Sequence, residues 1–357
     1  MGFSSGVSGD VAVNSGSGTV SDSSAIGGDT GGNVSSDVSV VITCFNQGDV
    51  ITDTLDSVRR QTRHVARTII VDDGSTDPAT LRLLHDMEHA PRLPEEATPA
   101  PLLTVIHQTN GGVSAARNTG LSAVTTPFAV VLDGDDQLAP DFIEVVLPRF
   151  SDASVVAASS WLQTFGVLST VVAPSGGILT DFLPRNCCPA TAMLRMSAWK
   201  ECGGYDDSMR QGFEDWDFSL RLLETTPQKS ASPNRIDIVK RPLIRYRTAP
   251  ASSNITSMEH RLELLSTLIE NHLPSYQRNV KAALIGLERI SMGRLTALEK
   301  LTAQTLSTQT PDAQALDAQT PSAHTPSTQT HYALLENPSF GDGGMAAAVR
   351  LASATRQ

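Results

Sequence analysis

Three carboxylates crowd the end of an apolar run in the segment FAVVLDGDDQLAP, residues 128–140. Asp133, Asp135 and Asp136 follow four apolar residues, and so much like charge beside a buried strand needs a positive partner. Carboxylate oxygens around a glycine suit a hard divalent cation, which also keeps sites for water and phosphate oxygens. The same letters fit a solvated turn or an acidic helix cap before Pro140, and this segment alone leaves those alternatives open.

An EF-hand loop also has acidic residues at close spacing, but this segment does not fit one. The sixth position of such a loop should be glycine and is Leu138 here. A strand-like run rather than a helix precedes the segment, so we exclude this type of calcium site.

A second acidic cluster, VDDGSTD at 71–77, follows another strand-like run. Asp73 is placed to accept hydrogen bonds from a base or a ribose at the end of that strand. The alternative is purely local, because Asp-Gly favours a turn and Ser75, Thr76 or Asp77 can cap the next helix.

Two glycines precede a helix-like pattern in QTNGGVSAARNTG, residues 108–120. Such an arrangement can present backbone N–H groups to a phosphate at the positive end of a helix. A plain turn explains the same glycines. Arg117 and Asn118, one turn into the helix, either face a nucleotide or tie the helix to the sheet.

The segment GFEDWDFSLRL, residues 212–222, offers a candidate general base. Glu214 and Asp215 are bordered by Phe213 and Trp216, and a carboxylate with apolar neighbours can act as a base. Acidic residues in the first turn also stabilise any helix through its dipole, so the structural alternative is strong.

The elements that must position these side chains alternate in the first half of the chain. The pattern predicts strands at 38–45, 67–73, 102–108 and 128–132, with helices at about 49–62, 75–89 and 113–124. Such alternation predicts an α/β fold with a mainly parallel sheet and helices on both faces. Since ligands bind beyond the carboxyl ends of parallel strands, the acidic segments should converge on one crevice.

The second half is more mixed. The expected elements are a hairpin or strand pair at 153–173, a short helix at 176–186, a clearer helix at 212–224, a strand at 237–247 and a helical stretch at about 257–292. The Gly/Ser-rich residues 1–36 predict a disordered leader, and the Gln-Thr-Pro-rich residues 293–357 predict a largely disordered low-complexity tail.

Composition narrows the class of protein. The 27 Lys and Arg against 38 Asp and Glu give a net charge of −11, which argues against nucleic acid as a partner. The four cysteines fit no metal-ligand spacing, which favours a reducing cytoplasm. No apolar run is long enough to span a membrane, and the N-terminus lacks the regions of a signal peptide. The glycosylation sequon at Asn254 is therefore expected to be idle.

Six motifs taken together resemble the family 2 glycosyltransferases, the large inverting group with the GT-A fold. In chain order between about 38 and 248 they are VSVVITCFNQ, IIVDDGSTD, QTNGGVSAARNTGL, VVLDGDD, GGYDD and GFEDWDFSLRL. The resemblance implies a glycosyltransferase domain over 37–256, with a nucleotide-binding half at 37–150, a mixed α+β acceptor half at 151–256, and a helical extension at 257–292.

The resemblance also implies roles for individual residues. Asp215 is expected to be the catalytic base and Glu214 its partner, while Asp133, Asp135 and Asp136 would hold Mg²⁺ or Mn²⁺. The nucleotide contacts implied by the matched motifs are Thr43, Phe45, Asn46, Asp73, Asn110, Gly112, Arg117 and Asp135.

The implied substrates are a UDP-, dTDP- or GDP-sugar donor and a glycan or lipid-linked acceptor, as in cell-surface polysaccharide synthesis. A lipid-linked acceptor would bring the cytoplasmic enzyme to the inner face of the membrane. Many family members carry a histidine shortly after the strand that ends in IRYRTAP, where this chain has Thr248 and Ala249. Either Arg247 substitutes for it, or water completes the shell of the metal.

Two other classes compete with this interpretation. A nucleotide-sugar-binding scaffold without turnover would explain the missing histidine, although Asp136 and Asp215 are both present. A dinucleotide-dependent oxidoreductase would need G-x-G-x-x-G after the first strand, where TCFNQGD stands instead.

Overall fold

The computed structural model describes residues 37–89, 102–227, 232–249 and 259–308. The predicted leader at 1–36, the sequon at Asn254 and the tail beyond residue 308 lie outside these ranges.

Ten strands lie within the described ranges. In chain order they are β1 Val38–Cys44, β2 Arg67–Asp72, β3 Leu102–His107, β4 Phe128–Asp133, β5 Gln137–Leu138, β6 Val155–Gly166, β7 Val171–Val172, β8 Gly177–Ile178, β9 Ala192–Arg195 and β10 Arg235–Thr248.

These strands form one sheet within the described residues. Its main order is β3-β2-β1-β4-β9-β6-β10-β5, while β7 pairs with β6 and β8 pairs with β10. Strands β3, β2, β1 and β4 are parallel to one another. Strand β9 is antiparallel to both β4 and β6, and β6 is parallel to β10. The carboxyl ends of β1, β2, β4, β6 and β10 therefore share one edge of the sheet.

Helices cover the sheet and continue past its last strand. They are α1 Ile51–Arg59, α2 Pro78–His89, α3 Val113–Ser122, α4 Phe142–Val146, α5 Leu179–Phe182, α6 Met196–Cys202, α7 Glu214–Glu224, α8 Arg261–Asn271, α9 Leu273–Arg278 and α10 Val280–Thr308. Among the described helices, none is long and apolar enough to cross a membrane.

The central strands are apolar on both sides because helices cover both faces of the sheet. Successive side chains of a strand point to opposite faces. Accordingly, Val41 and Val131 belong to one apolar cluster, and Val40 and Val130 belong to another.

The strands of the first half lie where the sequence predicts them, to within one residue at each end. Strand β9 and helix α6 are not predicted, because AMLRMSAWK has no turn signal that separates a strand from a helix. The helical extension was expected to end near residue 292, and this boundary is wrong: α10 continues to Thr308. No proline lies between Pro274 and Pro311, so the sequence has no strong stop signal for this helix near residue 292.

Helices α8 and α9 are fastened to α7 through a buried histidine. His272 is 2% exposed, and its Nδ1 lies 2.9 Å from Oε2 of Glu224 and its Nε2 lies 3.1 Å from Oδ1 of Asp217. Burial lowers the pKa of His272, but the two carboxylates outweigh burial and raise it to about 9. At neutral pH the helices are therefore joined by a charged triad in which Asn271 also donates to Asp217, at 2.9 Å.

All four cysteines carry free thiols. Burial raises the pKa of Cys44 and of Cys202 to about 11 in each case. Burial also raises the pKa of Cys187 and of Cys188 above the ordinary thiol value.

Candidate active site

The acidic segments of the sequence meet at the carboxyl edge of the sheet. Thr43 at the end of β1 pairs in register with Asp133 at the end of β4, and Cys44 pairs with Asp72 at the end of β2. Since adjacent strands lie about 4.8 Å apart, the ends of β2 and β4 are separated by only about 10 Å.

Arg117 joins two of the predicted acidic motifs. Its guanidinium donates to Asp133, at 2.9 Å and 3.2 Å, and to Oε1 of Glu214 at 2.9 Å. One buried cation thus holds the end of β4 against the first turn of α7. Motifs almost a hundred residues apart along the chain converge through this bridge.

The position of Arg117 follows from the packing of α3. Gly120, three residues later on the same face, lies so close to β1 that an added Cβ would collide with Val41. The face that carries Arg117 is therefore pressed against the sheet, and Arg117 is only 2% exposed.

Burial alone would lower the pKa of Arg117, but Asp133, Tyr205 and Glu214 raise it well above its usual value. Its Nε is buried and has no hydrogen-bond acceptor among the described residues. Arg117 is deeply buried and bound to Asp133 and Glu214, and its predicted contact with the nucleotide stays a prediction. Of the two alternatives for Arg117 and Asn118, tying α3 to its surroundings is the one observed. Asn118 exchanges hydrogen bonds with the backbone of Tyr205 at 2.9 Å.

Asp135 carries the carboxylate that best fits a cation. Burial and the neighbouring charge of Asp133 raise the pKa of Asp135 to about 6, and Arg247 offsets this only in part. A hard divalent ion would remove the repulsion, and carboxylate oxygens are the ligands that Mg²⁺ and Mn²⁺ prefer. The donor chemistry at Asp133 and Asp135 therefore fits the predicted metal.

Asp136 has a different environment from the other two acids. It is 2% exposed, and its Oδ1 accepts the backbone N–H of Arg247 at 2.9 Å. Burial, followed by Asp133 and Asp135, raises its pKa well above the ordinary value. In the part of the chain that the structure describes, no three His, Cys, Asp or Glu side chains are grouped to hold a metal. The expected cage of three carboxylates is thus not formed, and Asp136 joins the β4 loop to β10.

Arg247 supplies positive charge beside the acidic loop that follows β4. Its Nε donates to the backbone oxygen of Asp135 at 3.2 Å, and its guanidinium lies over the ring of Phe165 at 4.6 Å. This cation is 26% exposed, so it can interact with a ligand as well as with the loop.

Asp73 organises the loop that precedes α3. Its Oδ1 accepts the N–H of Gly111 and its Oδ2 accepts the N–H of Gly112, each at 2.8 Å. Both N–H groups are thus used within the chain, and the predicted nucleotide contact of Gly112 stays a prediction. Asn110 donates to the backbone oxygen of Asp73 at 2.9 Å, while Asp73 itself is only 4% exposed.

The predicted nucleotide-binding residues at the end of β1 and just after it differ in exposure. Some are hydrogen-bonded within the chain, and one is exposed. Asn46 accepts the N–H groups of Thr76 and Asp77 at 2.8 Å and 2.9 Å, so its carbonyl oxygen fixes the loop after β2. The hydroxyl of Thr43 donates to Asp133 at 3.4 Å. Phe45 is 47% exposed at the same edge, and its predicted nucleotide contact stays a prediction.

Asp215 lies at the start of α7, next to Glu214. Phe213 precedes the helix with a positive φ of 64°, a strained conformation for a residue with a Cβ. This left-handed turn and the Arg117 bridge fix the direction in which the first turn points. Asp215 is partly exposed, and its Oδ2 accepts Nδ2 of Asn186 at 2.9 Å. Asn186 is not predicted as a site residue, because it lies in the irregular loop between α5 and β9, where no motif marks it.

Comparison with known proteins identifies the region that carries most of these residues. Residues 39–198 match the family described as Glycosyl transferase family 2. This stretch of the chain, 160 of its 357 residues, is similar to the family 2 glycosyltransferases. The predicted α/β GT-A fold is confirmed by this match together with the sheet order. Asp215 lies beyond the matched residues, so its role depends on its position in the structure.

Several curated glycosyltransferases resemble the chain. The putative glycosyltransferase EpsH of Bacillus subtilis (strain 168) is 32% identical over 129 residues, which cover 36% of this chain and 34% of EpsH. Chondroitin synthase of Escherichia coli is 28% identical over 199 residues, which cover 54% of this chain and 27% of the synthase. The chain thus spans about a third of the length of the curated relatives it matches.

Solved structures show a more distant likeness to this chain. The crystal structure of S. aureus TarS 1-349 in complex with UDP has a TM-score of 0.47 and 18% identity, with 65% of each chain covered.

Proposed function

We propose that the protein transfers a sugar from a nucleotide-diphosphate sugar to an acceptor hydroxyl with inversion at the anomeric carbon. The Arg117 bridge is the observation that carries this proposal. It holds Asp133 on the donor side and Glu214 beside Asp215, so a diphosphate at the strand ends would lie next to a carboxylate base. The family of residues 39–198 supports the same chemistry.

Asp215 acts as the general base in this proposal. It accepts the proton of the acceptor hydroxyl as the oxygen attacks the anomeric carbon from the face opposite the leaving diphosphate. A single displacement needs no covalent nucleophile on the enzyme. Asn186 orients the carboxylate through the hydrogen bond at 2.9 Å, and Glu214, paired with Arg117, keeps the helix turn in place.

Asp133 and Asp135 would hold Mg²⁺ or Mn²⁺, and the ion when bound would neutralise charge on the departing diphosphate. Arg247 adds a second positive charge at the same loop. Phe45 offers an exposed ring on which a nucleotide base can stack, and the donor is a UDP-, dTDP- or GDP-sugar.

The acceptor is a growing glycan or a lipid-linked sugar, in the cytoplasm or at the inner face of the cell membrane. The names of the relatives support this class, since one of them is a chondroitin synthase. Nucleic acid is not a partner in this proposal, in keeping with the net charge of −11.

The test measures release of nucleoside diphosphate from a panel of UDP-, dTDP- and GDP-sugars with glycan acceptors, in Mn²⁺, in Mg²⁺ and in EDTA. We expect release from one donor with metal, loss of release in Asp215→Asn, and retained nucleotide binding in that variant. Asp86→Asn, whose side chain is 80% exposed on α2, is the matched control. Proton NMR of the product reports the anomeric configuration.

The alternative of a silent binding scaffold predicts a different result from the same assay. Tight binding of a nucleotide sugar without release from any donor would favour the scaffold. Release that continues unchanged in Asp215→Asn would remove that residue from its role as base.

A further inference from the structure

A cavity of about 430 Å³ lies between helix α10 and the segment that surrounds α5. One wall is formed by side chains from residues 175–187, and the other by side chains from residues 282–290. The volume is in the range of sites that bind small molecules. This cavity contains none of the residues assigned above to the donor, the metal or the base.

The two walls are held together by a close approach and a hydrogen bond. Gly286 of α10 lies so near the other wall that an added Cβ would be 2.6 Å from Cγ of Pro184. The hydroxyl of Tyr276, just before α10, donates to the backbone oxygen of Leu183 at 2.7 Å. The cavity is therefore shaped by the fold itself, and a preformed site binds its ligand with little loss from ordering.

Two arginines line the cavity, one from each wall. Arg185 donates from Nη2 to Oγ of Ser175, which also lines the cavity, at 3.2 Å. Arg289 is exposed on α10, and none of the ion pairs among the described residues includes it. Both guanidinium groups are thus placed beside the same space.

One acid lies among the described residues that line the cavity. Asp181 accepts the backbone N–H of Ile178 at Oδ2, at 2.9 Å, so its carboxylate is directed to the backbone of its own segment. Two arginines against one aspartate leave the lining with a net positive charge. In a chain whose net charge is −11, such a cavity favours an anionic ligand.

The cavity begins next to the proposed catalytic base. Arg185 and Cys187 line it, and Asn186 between them donates from Nδ2 to Oδ2 of Asp215 at 2.9 Å. Consecutive Cα atoms are only about 3.8 Å apart. A hydroxyl at Asp215 and a group in the cavity are therefore close enough to belong to one acceptor molecule.

We propose that this cavity binds an oxyanion of the acceptor, either the phosphate of a lipid carrier or the carboxylate of an acidic sugar. Guanidinium groups suit both, because their N–H groups match the spacing of two oxygens. Ser175 and Thr180 add hydroxyl groups, and Pro184 and Ile285 add apolar surface for the carbon skeleton. The inference rests on the proposed sugar transfer and narrows its acceptor to an anionic one.

Binding is measured by ligand-observed NMR of the full chain in EDTA, with methyl phosphate, methyl glucuronate and neutral methyl glucoside as probes. We expect at least one anion to bind and the glucoside not to bind. Arg289→Gln should weaken binding of the anion at least fivefold. Arg294→Gln, on the same helix but outside the lining, is the matched control and should bind the anion as the natural chain does. The stronger of the two anions distinguishes a phosphate from a carboxylate.

A steric variant tests the same site with both arginines in place. Ala282 is half-buried in the wall that α10 provides, so Ala282→Leu fills part of the cavity and should weaken the anion at least fivefold. No binding of either anion to the natural chain would overturn the proposal. Binding that is unchanged in both Arg289→Gln and Ala282→Leu would overturn it as well.

Kinetics connect the cavity to the acceptor. For an acceptor that carries the preferred anion, Arg289→Gln should raise KM at least fivefold, whereas Arg294→Gln should leave it unchanged. Equal KM values of the natural chain for anionic and neutral forms of one acceptor would contradict the assigned role.

Failure of this inference is distinct from failure of the proposed function, because the NMR measurement needs no turnover. No release of nucleoside diphosphate from any donor, with anion binding through Arg289 intact, would remove the transfer reaction and support the anion site. Transfer to a neutral acceptor, with no anion bound in the cavity, would support the reaction and overturn the anion site.

Discussion

The negative charge of Asp135 destabilises the folded protein when no metal is bound. Its pKa of about 6 lies above the ordinary value of 3.8, so the folded state favours the protonated form. Ionisation therefore lowers the free energy of unfolding as the pH rises through this interval. A cation bound by Asp133 and Asp135 would offset the repulsion between the two carboxylates and stabilise the folded state.

Asp135→Asn should stabilise the metal-free protein while abolishing transfer. One pKa unit corresponds to about 1.4 kcal/mol, so the gain at pH 7 should be about 1–3 kcal/mol and should shrink as the pH falls towards 4. Urea unfolding in EDTA at both pH values measures it. Asp53→Asn, at a side chain 64% exposed, is the control and should change little. An unchanged stability at pH 7 would contradict the assigned repulsion.

Arg117→Lys should separate positioning from binding. A lysine is a point charge and cannot donate to Asp133 and Glu214 in the planar geometry of a guanidinium. We expect loss of stability by about 3 kcal/mol, as for other buried ion pairs that lose a partner. The value of kcat should fall by more than KM changes, because Asp215 loses its fixed direction.

Steady-state kinetics and thermal unfolding together check this prediction, with exposed Arg82→Lys as the control. Natural values of both kcat and the midpoint of unfolding in Arg117→Lys would show that the bridge is dispensable.

Single residues were predicted unevenly from the sequence. Asp133 and Asp135 are apparent because acids directly after an apolar strand are unusual and their position follows from strand order. The partners that Asn46 and Asp73 bind, and the bond from Arg117 to Glu214, are not apparent, because each of these pairs is 30 or more residues apart in the chain. The direction in which a side chain points depends on packing, such as the close approach of Gly120 to β1. The spacing of motifs along the sequence does not reveal that packing.

At the scale of elements, the charged triad at His272 predicts how α8 and α9 respond to pH. The folded pKa of about 9 lies above the ordinary 6.5, so the stabilisation is complete below about 6.5 and is lost as the pH rises through about 9. The pKa values of Asp217 and Glu224 are lowered, so these carboxylates become protonated, and the triad loses their charge, only in acid.

Hydrogen exchange across residues 259–308 between pH 6 and pH 10 tests this dependence, after correction for the intrinsic rate of exchange. Protection of α8 and α9 should decline near pH 9 in the natural chain. His272→Leu should be less protected at pH 7 and should lose the decline. His260→Gln, at a side chain 43% exposed beside α8, should behave like the natural chain. Equal protection at pH 7 and pH 10 would rule out a structural role for the imidazolium.

Elements were predictable where period and turn signals agree, as for β1, β2, β3 and β4. The continuous apolar runs that predict β1, β2 and β4 reflect the burial of these strands on both faces of the sheet. Strand β9 is antiparallel to its neighbours and is followed directly by α6. No polar loop therefore marks the point at which the spacing of apolar residues changes from that of a strand to that of a helix. The sequence predicts the end of α10 too early, because low-complexity composition after residue 292 indicates disorder. The absence of a proline there is the weaker signal that favours a longer helix.

At the scale of the whole molecule, donor and metal should stabilise the fold by mass action. A ligand at about 100 times its dissociation constant adds roughly 2.7 kcal/mol, and for a chain of this size each kcal/mol is worth about 2–4 °C. UDP with Mn²⁺ should thus raise the midpoint of thermal unfolding by about 5–10 °C. UDP in EDTA is the control and should raise it less. Equal shifts with and without the metal would contradict a cation site at Asp135.

The order of the motifs along the chain was sufficient to predict the overall α/β architecture, since parallel strands bring their carboxyl ends to one edge. The packed face of α10 was not predictable in the same way, because Ala283 and Ala297 are buried on a helix whose other faces also carry apolar residues.

The buried thiols have a practical consequence for spectroscopy. Only the thiolate reacts with maleimides, and at neutral pH very little of it forms on groups such as Cys44 and Cys202. A cysteine introduced on the surface should therefore take up a fluorophore or spin label alone, on the natural background. Distances between two such probes can then report conformational changes in solution without replacement of the native cysteines.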